Sequence, residues 1–65
     1  MIKTAIRFQN NMVVVFDGRG EQIPEYQGQY EEVKGSILKD ASPDAVFGHW
    51  ADYEAEFEVV SIGEW

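Results

Sequence analysis

From Ile2 to Phe8 the side chains alternate, with Ile2, Thr4, Ile6 and Phe8 on one parity and Lys3, Ala5 and Arg7 on the other. Successive side chains of a strand point to opposite faces, so this period of two predicts a strand at about 2–8 with its isoleucine side buried. Asn10 and Asn11 follow, and asparagine tolerates the positive φ that a tight hairpin turn requires. The next run, Met12 to Phe16, predicts the second hairpin strand at about 12–17 and is apolar at both parities. Two registers fit it. A two-residue turn sets Phe8 against Val13 and Ile6 against Val15; a three-residue loop sets Phe8 against Met12 and Ile6 against Val14. A slip of one residue exchanges the two faces, and in either register large apolar side chains occupy the second face, where they need a cover.

Asp17-Gly18-Arg19-Gly20 is turn chemistry, and Glu21 to Ile23 predicts a brief pairing against the end of the second strand before Pro24 stops the ladder. Beyond it Tyr26, Tyr30, Val33, Ile37 and Leu38 recur at the spacing of one buried helical stripe, while Glu31, Glu32, Lys34, Lys39 and Asp40 fall away from it. This spacing predicts a helix at about 27–40, with Gly28 drawing its start later and Gly35 softening its middle. Ser42-Pro43-Asp44 has the chemistry of a helix start, and Val46, Trp50, Tyr53 and Phe57 continue at helical spacing. Against that, Ala45 to Trp50 is rich in strand formers, and Asp52 to Val60 alternates acids (Asp52, Glu54, Glu56, Glu58) with Tyr53, Ala55, Phe57 and Val59. The balance favours strands at 45–50 and 55–60. The expected fold class is α+β in a single domain, 1–65: an amino-terminal hairpin, one amphipathic helix on it, and a carboxy-terminal β element completing a small antiparallel or mixed sheet.

Composition narrows the function. Sixty-five residues bury only roughly 60% of their unfolded surface, so the core must be dense in apolar groups, and the 45% hydrophobic content meets that need. Without cysteine there is no disulfide framework, and one histidine leaves no Cys/His zinc site within the chain. The longest apolar run, Met12 to Phe16, is far short of a membrane span, and a basic-then-apolar leader pattern is missing, so a cytoplasmic protein is expected. Net charge is −7, and no lysine or arginine follows Lys39, whereas seven carboxylates do. That asymmetry repels polyanions, which disfavours nucleic acid as a partner, and favours a protein partner, of basic character if charge selects it.

Candidate chemistry is sparse. His49 is the lone imidazole, with Asp52 and Glu54 nearby in sequence, but no serine or cysteine nucleophile stands at a meaningful spacing from it. The acids of residues 52–58 would sit about 6.6 Å apart along a strand and diverge into water instead of converging on one cation. The Asp17–Glu21 turn has Arg19 where a calcium loop needs an oxygen and Gly28 at its twelfth position, and Gly18-Arg19-Gly20 is too short for a phosphate loop. No catalytic, metal or cofactor residue is therefore expected. Aromatic rings beside carboxylates suit a protein-binding surface, which places the candidate contact residues at Asp52, Glu54, Glu56, Glu58 and Trp65.

Over Val15-Phe16-Asp17, Ile23 to Tyr30 and Asp44 to Trp50 the chain resembles small acidic proteins of prophages and conjugative elements in Gram-positive bacteria. The resemblance implies a mobile-element setting and carries over no catalytic residues. The expected function is a non-enzymatic protein-interaction module, with homodimerisation covering the spare apolar face of Met12 to Phe16. The alternative is an acidic nucleic-acid mimic whose carboxylates occupy the basic groove of a DNA-binding protein.

Overall fold

A computed structural model describes the backbone of residues 1–51 and 56–65 and the side chains of residues 1–50 and 57–65. Strand β1 (Ile2–Phe8) turns back into β2 (Met12–Phe16), and a short 3-10 turn at Pro24–Tyr26 leads to the two-residue strand β3 (Gly28–Gln29). Helix α1 (Tyr30–Asp40) then crosses to β4 (Ala41–Ala51), and β5 (Glu56–Val60) follows. The strands form one mixed sheet in the order β3-β2-β1-β4-β5, parallel only between β1 and β4. The α+β class read from the sequence is the observed one.

The hairpin takes the three-residue loop. Ile6 pairs with Val14 and Arg7 with Val13, and Asn11 holds φ 66° while its N–H donates to the Phe8 carbonyl at 3.0 Å. The Asn10 side chain accepts from Met12 N–H at 3.1 Å, so each asparagine closes a different part of the loop. This register puts Ala5, Arg7, Val13 and Val15 on one face and Thr4, Ile6, Phe8, Met12, Val14 and Phe16 on the other.

The helix covers the first of these faces, the one that carries Ala5 and Arg7 of β1 instead of its Ile6 and Phe8. The core joins Ile2, Ala5, Val13, Val15, Ile37, Phe47 and Trp65, with Tyr26, Tyr30, Val33, Leu38 and Val60 packed against it. Ala5 is fully buried in this core, in the same cluster as Ile37 of the helix. Ile2 rejoins this core across a break in the β1/β4 ladder, where its partner is Ala41 but that of Thr4 is Val46. Within that break lie Ser42, Pro43, Asp44 and Ala45, so the proline, which has no N–H to give, costs the ladder no bond there.

Two boundaries differ from the spacing argument. The helix begins at Tyr30, not 27, because Gly28 and Gln29 pair with Val13 and Met12, and Tyr30 N–H donates to the Asn11 carbonyl at 2.8 Å. Glu31 and Glu32 in its first turn and Lys39 in its last match the helix dipole. At the other end, strand geometry starts at Ala41, directly after the helix, and so includes Ser42-Pro43-Asp44, whose helix-start chemistry is overruled by pairing with β1. The Asp44 carboxylate instead takes Lys3 Nζ at 2.7 and 2.9 Å and the Ser42 hydroxyl, which holds its pKa down at about 2.

Candidate functional site

The face of the sheet away from the helix is built from the second set of strand positions. Thr4, Ile6 and Phe8 of β1, Met12, Val14 and Phe16 of β2, Val46 and Trp50 of β4, and Phe57 and Val59 of β5 share it by register. None of these ten is charged. Of the ten, only Ile6, at the centre, is buried, at 7% exposure; Val46, Phe57 and Val59 remain 39%, 38% and 65% exposed. Among the described residues no element lies over this face.

Its aromatic side chains are organised. Phe8 and Trp50 stack with centroids 6.1 Å apart and planes 20° from parallel, and Trp50 meets Phe57 at 6.0 Å. Gly48 makes room for the third ring: a Cβ there would stand 2.3 Å from Phe57 ring atoms. An absent side chain on β4 therefore lets the Phe57 ring lie across the strand, a packing that widens the apolar surface toward the β5 edge. At the opposite border the Gln29 amide contacts Met12 Sδ at 3.1 Å, which begins a polar rim.

The edges of the sheet are unsuited to pairing. β3 offers only two residues, and β5 carries an exposed Glu58. Short and charged edges resist strand addition.

The residues singled out from the sequence sit elsewhere. Asp52 and Glu54 lie outside the described residues, and Glu56 opens β5 with its side chain also outside them. Glu58 is exposed and opposite His49, on the helix side of the sheet. Trp65 is not a surface residue: at 2% exposure it is the largest fully buried side chain among the described residues, because the segment after β5 turns it into the core against Tyr30 and Phe47. This corrects its assignment to a contact surface.

His49 is half-buried near the ends of β1 and β4, beside a shallow cleft of about 250 Å³ lined by Arg7, Phe8, Gln9, Asn11 and Trp50. Its Nε2 lies 3.4 Å from the Trp65 main-chain oxygen, while Ser42 bonds Asp44 and Ser61 bonds Glu64. Neither of those hydroxyls is directed at the imidazole. Among the described residues no three His, Cys, Asp or Glu side chains are placed to hold a metal ion. No helix among them is long and apolar enough to cross a membrane.

The open face was visible in part as the run Met12 to Phe16, apolar at both parities. Trp50 and Phe57 were visible only as members of an aromatic-rich segment whose secondary structure was ambiguous. No family model, no curated protein and no solved structure matches the chain.

Proposed function

We propose that this protein is a non-enzymatic protein-interaction module that works through the open face of its sheet, and that its partner there is a second copy of the chain. The supporting observation is a contiguous face of ten uncharged strand positions on a chain of net charge −7. Among the described residues a basic partner finds no carboxylate on this face, whereas an identical face is chemically matched to it. Five strands spaced about 4.8 Å apart, with about six residues each, project roughly 24 by 20 Å, so two stacked copies bury on the order of 1,000 Å² in total. That is near the threshold for a specific interface, so the dimer is expected to dissociate on dilution. Two aligned sheets pack about 10 Å apart, which the half-buried Phe8, Val14, Phe16 and Trp50 side chains are long enough to fill.

Sedimentation over a concentration series tests the reading. Dimer formation in the micromolar-to-millimolar range is expected, strengthened by added salt, because salt screens the repulsion between two acidic copies. Val59→Lys and Phe57→Glu should each shift the chain to monomer. A strict monomer at millimolar concentration overturns the proposal. So does association that salt weakens and both substitutions leave intact, which would point instead to the acidic surface acting as a nucleic-acid mimic.

A further inference from the structure

Trp65 is held by groups that its neighbours in sequence do not supply. Ser61, Ile62, Gly63 and Glu64, which join it to β5, are all exposed, and their hydrogen bonds stay local: Glu64 and Trp65 N–H both donate to the Ser61 carbonyl at 3.0 Å. Of this segment, only Trp65 is buried.

Every group that receives it comes from elsewhere in the chain. The indole meets Tyr30 of α1 and Phe47 of β4 edge to face, with centroids 5.3 and 5.0 Å away. Its Nε1–H donates to the Gly48 carbonyl at 3.1 Å, a bond that a phenyl ring in the same place could not make. Arg7 Nη1 donates to the Trp65 main-chain oxygen at 2.8 Å, and His49 Nε2 approaches the same oxygen at 3.4 Å. Arg7 is itself fixed, its Nε and Nη2 donating to Asn11 Oδ1 at 3.2 and 2.9 Å and its guanidinium lying 3.6 Å over the Tyr30 ring.

The socket thus reads three features of one residue: a flat aromatic body, an indole N–H and a main-chain oxygen. We infer that it is a recognition site for a tryptophan-bearing peptide segment, occupied in cis by residue 65 and open to the same segment supplied in trans. The site lies on the helix side of the sheet and does not depend on the docking role of the opposite face. Release of residues 61–65 exposes it, so a competing peptide that carries tryptophan displaces the chain's own segment.

The test uses the full chain with Trp65→Ala, titrated with a synthetic pentapeptide of residues 61–65 and followed by thermal unfolding and by amide shifts at Gly48 and Phe47. Saturable binding with a rise in Tm is expected, and about tenfold weaker binding of the same peptide with phenylalanine in place of tryptophan, because the carbonyl of Gly48 then loses its donor. Adding Arg7→Met should weaken the tryptophan peptide by a similar factor. If Trp65→Ala is unfolded alone, saturating peptide must restore the folded amide spectrum. The inference is overturned by a chain that shows no saturable shift, that stays unfolded in saturating peptide, or that binds both peptides equally.

Discussion

The two faces of this sheet divide its side chains in an unexpected way. Toward the helix lie Ala5, Val13, Val15 and Phe47, together with the polar groups Arg7 and His49 and, exposed on β5, Glu58. Away from it lie Ile6, Phe8, Met12, Val14, Phe16, Trp50 and Phe57, a set with more and larger apolar groups. The covered face accommodates Arg7 by surrounding it with partners: it rests on Tyr30 and bonds Asn11 and Trp65. Among the described residues the open face carries only Thr4 and, at its border, Gln29 as polar side chains, so its main unmet demand is removal from water. An eleven-residue helix can cover one side of the sheet, and it covers the side that carries the fully buried Ala5. The broader apolar side is then left for a layer that the described residues do not supply.

Matched truncations would break that contrast if it is mistaken. Ile37→Ala, at a position with no exposure, should lower stability by about 2–5 kcal/mol in urea unfolding, whereas Val59→Ala, 65% exposed, should cost under about 0.5 kcal/mol at dilute protein. Repeating the pair at high concentration sharpens it, since the cost of Val59→Ala should grow as copies associate. Equal costs at every concentration would mean that the two faces do not differ. Gly48→Ala probes a place where the open face packs upon itself. The new methyl would meet the Phe57 ring at 2.3 Å and the Glu58 carbonyl at 2.9 Å, so a loss of about 1–3 kcal/mol is expected, together with a changed Trp50 emission as Phe57 is displaced.

The smallest effect belongs to neither face but to the ladder break that lets Ile2 reach the core. Lys3 and Ser42 hold the Asp44 carboxyl at about 2, below the ordinary 3.8. Since the folded value is the lower one, this contribution to stability is present above about pH 4 and is lost as pH falls toward about 2. Asp44→Asn should therefore flatten the acid limb of a urea-midpoint profile and leave the shape at neutral pH unchanged. An unaltered acid limb would show that the Lys3 pair, exposed as it is, does not contribute.

Local patterns carried the elements further than they carried the faces. Alternation in Ile2 to Phe8, the twin asparagines and the Tyr30, Val33, Ile37, Leu38 stripe were sufficient for the hairpin and the helix, and the alternating Phe57 and Val59 for β5. What they could not decide was orientation, because Met12 to Phe16 is apolar at both parities and the loop length, not the pattern, selects the register. Ala5 and Arg7 looked like the solvent side of β1, since the cation-π contact and the Trp65 bond that justify burying Arg7 come from residues 23 and 58 positions away. The beginning of β4 was hidden for a similar reason: a helix-start signal is local, and the partner that overrides it, Ile2, is at the other end of the sequence. Trp65 was misplaced because an aromatic beside Glu64 reads as a surface residue until the socket that receives it is assembled.

The parallel seam between β1 and β4 also has a kinetic meaning. On either side of it the pairings β1/β2 and β4/β5 are hairpins between neighbours in sequence, of a kind that closes in about 1–10 μs. The seam itself joins residues some forty positions apart, such as Ala5 and Phe47, and closing it must order the intervening helix at the same time. Barrier crossing should thus coincide with joining the two hairpins, so that substitutions along the seam slow refolding while those in the outer turns chiefly hasten unfolding.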